Sequence, residues 1–387
     1  MKIILATGIY PPDIGGPATY VRALARELHE QGHVLTVITY GKIDTRVTTV
    51  GQDGGWQVVS VPWKGKPVLR WFLFARALRR FAVVADIIEA FSSVSVGVPL
   101  MLARLKKPKK ILRLGGDFAW ERYTDRGGML SLKRWYEERF HGFVYSFTRL
   151  LVTRLLHTFD HIIFSSAFQK ELYEQHYSRL PAHSVIENAL PNPNPNSNPN
   201  LNPSAPQDRP HHPLRLLFVG RFVEFKNLPC LLRALAMIPA VRLTLVGDGP
   251  MRRTLERIID ELHLRDRVIF VAPLAAHELS AVFASHDLLI LPSLTEISPN
   301  TALEARAHGL PVLLTEETGL SDSLRKGIVV RPLRSPEEIR SAVASVRETY
   351  ADIALAATEK IHERSWATVA EEHLQLFRAT AAENGRS

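Results

Sequence analysis

The amino-acid sequence predicts an α/β protein of two domains, each built on a parallel β-sheet. Three observations carry the prediction. Short apolar runs of strand length alternate with stretches of helical apolar spacing along nearly the whole chain, which is the pattern of β-α-β units. At 387 residues, with 46% apolar and 22% charged residues, the chain can bury two sizeable cores. Residues 191–213, PNPNPNSNPNLNPSAPQDRPHHP, break the pattern: they are dominated by Pro and Asn, have no apolar periodicity, and mark a linker or surface loop. The expected organisation is a first domain over residues 1–190, the linker over 191–213, a second domain over 214–364 and a closing helix over 365–387.

In the first domain, residues 2–6 read as a strand, 7–16 as a loop and 18–29 as a helix with Val21, Leu24, Ala25 and Leu28 on one face. Gly32 stops the helix and residues 34–39 form the next strand, completing a parallel unit. Gly15 and Gly16 end the loop, where missing side chains let a ligand approach the backbone; a plain tight turn uses the same pair. Residues 58–61, 86–90, 110–114, 161–165 and 185–188 continue the strands. The strand at 110–114 runs into Gly115-Gly116-Asp117, so Asp117, Trp120, Glu121 and Arg122 are candidates for the acceptor side of a site, with a helix cap at Asp117 as the competing reading. Residues 64–82 place Leu69, Phe72, Leu73, Arg76 and Arg80 on neighbouring helical turns, and residues 133–151 repeat the basic and aromatic mixture. Such helices either pack on their own sheet with a solvated basic face, the reading the sequence favours, or lie on an anionic membrane.

The second domain repeats the scheme, with strands at 215–219, 242–246, 268–271, 288–291, 312–314 and 328–330 and helices at 228–237, 251–262 and 278–284. Four strand ends carry unusual residues. Gly220-Arg221 and Lys226-Asn227 follow the first, Gly247-Asp248-Gly249 the second, Ala272-Pro273 the third, and LPSLTEISPNTALEARAHG, residues 291–309, the fourth. In that last stretch Ser298 is the expected N-cap, Pro299 the first helical residue and Gly309 the left-handed stop. A helix start at a sheet edge holds phosphate through its N–H groups and dipole. Glu296 and Glu304 bracket it, and ionised carboxylates accept bonds from vicinal hydroxyls, so phosphate and diol recognition together point to a nucleotide sugar. Arg221 and Lys226 supply cations for a diphosphate, and Gly247 and Gly249 allow close backbone approach. A helix at 365–377, with Trp366, Val369, Ala370, Leu374 and Phe377 on one face, closes the chain.

The segments GRFVEFKN at 220–227, LVGDGPMRRTLE at 245–256 and LPSLTEISPNTALEARAHGLPVL at 291–313, with YPPDIGGPATYVRALARELHEQGH at 10–33, resemble the signature of the GT-B glycosyltransferases of family 4, retaining transferases that use nucleotide sugars. The resemblance implies two Rossmann-like domains facing across a cleft, the donor held mainly by the second, and the last helix returning to the first. It implies that Arg221 and Lys226 bind the donor phosphates, with N–H bonds added around Ile297, Ser298, Pro299, Asn300 and Thr301. It further implies Glu304 on the ribose, Glu296 on the transferred sugar, and Gly15, Gly16, Gly220, Gly247 and Gly249 lining the donor. No metal and no cofactor is implied, the nucleotide-diphosphate sugar being a co-substrate. Many relatives carry a His in the first-domain loop near the reacting carbon; here Asp117 is the candidate for that role.

The formal charge of +9 suits an anionic partner. The resemblance selects a nucleotide-sugar donor rather than nucleic acid, and a glycan, lipid-linked or polysaccharide-precursor acceptor. A nucleotide-sugar epimerase and a non-catalytic nucleotide-sugar-binding protein are the competing readings. A first strand at the N-terminus and the lack of a long uncharged apolar run give a cytoplasmic expectation, with association at the membrane face open. Cys230 alone forms no internal disulfide and reads as a small core residue.

Overall fold

The computed structural model describes residues 1–13, 15–41, 49–63, 66–189, 212–359 and 364–382. The Pro/Asn-rich segment expected at 191–213 lies, through His211, outside the described residues, as do Lys64 of the expected basic helix and residues 383–387. The chain divides into two compact units, one of Met1–Ala119, Tyr136–Ala189 and Arg364–Ser387, the other of Trp120–Trp135 and Leu190–Glu363.

The first unit is organised on eight strands, β1 (Lys2–Ala6), β2 (Val34–Gly41), β3 (Thr49–Asp53), β4 (Trp56–Pro62), β5 (Ile87–Ala90), β6 (Lys109–Leu114), β7 (His161–Phe164) and β8 (Ala182–Val185), in the order β3-β4-β2-β1-β5-β6-β7-β8. All neighbours are parallel except β3, which runs antiparallel to β4. The hairpin turns on Gly54 and Gly55 at φ 57° and 95°, the two positive φ angles that a tight turn matching strand twist requires. β3 was not expected because TVGQD has neither an apolar run nor strict alternation. The last strand lies three residues earlier than the expected 185–188. Helix Gly16–Glu30 buries Ala18, Tyr20, Val21, Leu24, Ala25 and Leu28. Helix Trp366–Ala382 joins the same core through Val369, Ala370, Leu374 and Phe377. Inside it His373 Nε2 lies 3.2 Å from Glu89 Oε1, both residues fully buried, while His373 Nδ1 donates to Val369 O at 2.8 Å.

The second unit carries β9 (Leu214–Val219), β10 (Val241–Val246), β11 (Val268–Val271), β12 (Leu288–Leu291), β13 (Val312–Thr315) and β14 (Ile328–Arg331), all parallel, in the order β11-β10-β9-β12-β13-β14. β12 is buried at every position, which explains its continuous apolar sequence: helices cover both faces of such a sheet. Both units are Rossmann-like, as expected. Residues Trp120–Trp135, placed by sequence in the first domain, belong to this unit. Among the described residues no helix is long and apolar enough to cross a membrane.

Candidate active site

From β9 the chain winds outward to β10 and β11, then returns past β9 to lay down β12 on its other side. Because the strands are parallel, the loops leaving β9, β10 and β12 emerge at one edge, and loops that diverge at such a switch point leave a crevice where open α/β sheets bind ligands. The β9 and β12 loops are linked by a bond from Leu294 N–H to Phe225 O at 2.8 Å.

Lys226 closes a 3₁₀ turn, Glu224–Lys226, after which Asn227 takes a left-handed φ of 55° and starts helix Leu228–Ala236. Asn227 is buried and donates from Nδ2 to Leu333 O at 3.2 Å, which fixes the backbone next to the lysine. The Lys226 ammonium donates to Glu296 Oε1 at 2.6 Å, and Ser293 Oγ donates to the same oxygen at 2.6 Å. Glu296 is only 6% exposed, a burial that a carboxylate tolerates when charge-paired and hydrogen-bonded. Its backbone is held as well: its N–H donates to Glu317 O and its carbonyl accepts from Gly319 N–H, at 2.9 and 2.8 Å. The sequence reading selected Lys226 and Glu296 separately but missed both Ser293 and the direct pair; the three-residue spacing of Ser293 and Glu296 was the available signal.

A second group fastens Trp120–Trp135 to this loop. Thr295 Oγ1 donates to Glu317 Oε1 at 2.7 Å and accepts from Leu132 N–H at 2.8 Å, while Lys133 N–H donates to Glu317 Oε1 at 2.9 Å. The rings of Trp120 and Phe225 pack with centroids 5.3 Å apart.

Helix Asn300–Ala307 begins one residue later than the sequence suggests, with Pro299 in the cap position and no side-chain cap bond. The reason is the Pro299 backbone, whose ψ of 70° is not helical. Asn300 N–H donates to Ser298 O, and Ala302 and Leu303 N–H both donate to Pro299 O. Ile297 is buried beneath, and Thr301 lies in the first turn. Gly309 does end the helix at φ 76°: its N–H reaches Arg306 O and that of Leu310 reaches Ala305 O, each at 3.0 Å, which satisfies the last carbonyls. Glu304 stands on the second turn, where burial pushes its carboxyl up to about 7.

The glycines have a different immediate use from the one expected. A Cβ on Gly247 would stand 2.0 Å from Gly220 O, and one on Gly249 would stand 2.4 Å from Phe222 O, so what approaches these glycines is the β9 loop itself. Gly220 at φ 155° and Gly247 at φ 141° allow the two loops to seat together, and Phe222 N–H bonds Asp248 O at 3.0 Å. Arg221 stands exposed on that loop. Gly15, Gly16 and Asp117 belong to the first unit. Gly15 caps helix Gly16–Glu30 in extended backbone, and an added Cβ would meet Ile9 Cδ1 at 2.8 Å. Asp117 is 1% exposed, and its Oδ2 accepts from Tyr136 at 2.6 Å and Tyr173 at 2.9 Å, so it anchors two buried phenols. Burial and the Asp117 charge hold both phenols well above their ordinary range. Among the described residues no three His, Cys, Asp or Glu side chains are grouped to hold a metal ion.

The family described as glycosyl transferases group 1 matches residues 213–349, and that described as glycosyl transferase 4-like domain matches residues 15–189. An uncharacterized glycosyltransferase of Methanocaldococcus jannaschii is 30% identical over 181 residues, 44% of this chain and 46% of that protein, so the match spans under half of that relative. The alpha-monoglucosyldiacylglycerol synthase of Streptococcus pneumoniae is 26% identical over 337 residues, 81% of this chain and 70% of that one. In fold, the chain is similar to sucrose-phosphate synthase of Thermosynechococcus elongatus, with TM-score 0.76 and 18% identity over 99% of both chains. It is also similar to HepE of Anabaena in complex with UDP-glucose, with TM-score 0.68 and 17% identity over 98% of this chain and 100% of that one. The fold is that of the GT-B glycosyltransferases. The chain belongs to the group 1 glycosyltransferases with a 4-like first domain.

Proposed function

We propose that the protein is a retaining, metal-independent glycosyltransferase that moves a sugar from a nucleotide-diphosphate sugar to a glycan, lipid-linked or polysaccharide-precursor acceptor. The observation that carries the reading is the Lys226–Glu296–Ser293 cluster at the β9/β12 switch point, beside the start of helix Asn300–Ala307. Both bonds fall on Glu296 Oε1, which leaves Oε2 to accept from a hydroxyl of the transferred sugar. Lys226 and Arg221 offset the diphosphate charge, the helix start adds N–H groups and dipole, and Glu304 accepts from the ribose. Chemically, the bond from the sugar carbon to the diphosphate oxygen breaks through an oxocarbenium-like state as the acceptor oxygen attacks from the same face. The departing phosphate oxygen takes the acceptor proton, and the cations and helix start stabilise the charge that develops on the leaving group. The UDP-glucose found with HepE supports a nucleotide-sugar donor for this reading.

The test is to incubate the protein with a panel of nucleotide sugars, with and without a membrane extract as acceptor source. Nucleoside-diphosphate release that rises with acceptor is expected. Isomerised donor without acceptor dependence would make the protein an epimerase, and donor binding without turnover would make it a binding protein.

A further inference from the structure

We propose that one helical layer of the first unit docks on an anionic lipid bilayer, with Phe143, Val144, Phe147 and Leu150 inserting among the acyl chains. Four observations converge on it. These side chains are exposed by 95, 78, 77 and 54%, and Val68, Leu69 and Phe72 by 55, 51 and 57%. Single exposed apolar residues are ordinary, but a run of large ones marks an interaction surface.

The spacing is helical. Phe143 and Val144 stand on a short 3₁₀ turn, Phe143–Tyr145, that leads into helix Ser146–Leu156, on which positions 147, 150 and 154 fall on one face, ending in the exposed Arg154. The opposite face buries Val152, Leu155 and Leu156. Thus the outward ridge is not a core face that failed to find its sheet; that helix already has one.

Both ridges are presented from one layer. Val94, Val98 and Leu155 form a small apolar cluster with Trp71, Met101, Leu102 and Leu151, which ties helix Pro67–Phe81 to helix Ser146–Leu156 through helix Gly97–Ala103. Arg79 fastens the first pair further, donating to Ala103 O at 3.0 Å and Leu102 O at 2.7 Å.

Charge identifies the occupant. Residues 66–82, 97–108 and 141–158 contain ten Lys and Arg and no Asp or Glu, in a chain with 39 acidic residues. Helices that carry cations and no carboxylate of their own attract an anionic surface. A side chain exposed by 95% stands clear of its neighbours, so a protein partner would have to supply a matching socket, whereas fluid acyl chains form one around any shape. The proposal stands apart from the donor and acceptor chemistry, because it rests on the first unit alone.

Flotation of the full chain with phosphatidylcholine vesicles, and with phosphatidylcholine mixed with phosphatidylglycerol, tests it. Binding to the mixed vesicles, weakened by salt, is expected. The double variant Phe147→Ser/Leu150→Ser should lose about tenfold or more in apparent affinity, since two apolar anchors of the kind that set interfacial binding are gone. Arg76→Glu/Arg154→Glu, which removes no apolar anchor, should lose binding to the anionic vesicles as well. Thermal melting of both variants at the wild-type midpoint certifies the fold. Equal binding to neutral vesicles, unchanged binding by either variant, or no vesicle binding would overturn the proposal. So would a dimer in solution that the serine variant dissolves, since a second copy of the chain would then be the occupant.

Discussion

At the residue scale, the Lys226–Glu296 pair separates catalytic from structural roles. Lys226→Ala should lower kcat/KM for the donor by about 10- to 100-fold, because a charge-assisted phosphate contact is lost. It also leaves Glu296 buried without its cation, at a cost of about 1–3 kcal/mol in denaturant unfolding. The double variant Lys226→Ala/Glu296→Gln should recover stability and not activity; recovery of activity would remove the pair from the site. Glu304 gives a pH test. Its carboxyl titrates at about 7 when folded, against roughly 4.3 in an unfolded chain. Between these values the folded state holds the extra proton, so this group's destabilising effect is full above about 7 and fades as pH falls. Glu304→Gln should therefore melt above wild type on the alkaline side, with the gap closing on acidification. On the proposed reading ribose hydroxyls donate to the ionised carboxylate, so nucleotide affinity should fall as pH drops through about 7 in the wild type and stay flat in the variant, by calorimetry. Both residues were legible in the sequence from their loop positions. Their mutual bond was not: they stand 70 positions apart, and only the folded sheet brings the two loops to one edge. The partners of Asp117 were hidden for a related reason, since nothing local announces the tyrosines 19 and 56 residues downstream that bond it.

At the element scale, the loop after β10 is built to accept the loop after β9. Gly247→Ala should destabilise by roughly 1–3 kcal/mol from its backbone conformation alone, and should weaken donor binding by displacing Gly220 and Arg221. Gly51→Ala, where an added Cβ meets nothing within 4 Å, should leave both unchanged in the same unfolding and binding measurements. The parallel strands were legible because burial on both faces writes a continuous apolar run, as in Leu288–Leu291. Edge strand β3 was not, since an antiparallel edge needs no such run. The helix after β12 was legible in kind and at Gly309, but its start depended on the ψ angle of Pro299, which residue type alone does not fix.

At the scale of the whole molecule, the first unit depends on a distant piece of chain. His373→Ala would remove the imidazole that lies beside the fully buried Glu89 carboxyl and open a cavity there, at a cost of about 1–3 kcal/mol. Hydrogen exchange should show helices Gly16–Glu30 and Trp366–Ala382 losing protection while β9, β10 and β12 keep theirs; uniform loss would refute so local a role. The amphipathic pattern of the last helix was readable, but the migration of Trp120–Trp135 to the second unit was not, because the bonds at Thr295 and Glu317 use backbone N–H groups that any sequence offers. The discontinuity of the first unit also bears on biosynthesis. Translation delivers Leu190–Glu363 before the helix that completes the first core, so the ribosome has made every residue of the second unit while Tyr20, Val21 and Leu24 still await their cover. The second unit can therefore complete its core first, against the usual N-terminal-first order of co-translational folding. The nascent first unit is therefore the part of this chain for which a chaperone has the longest work.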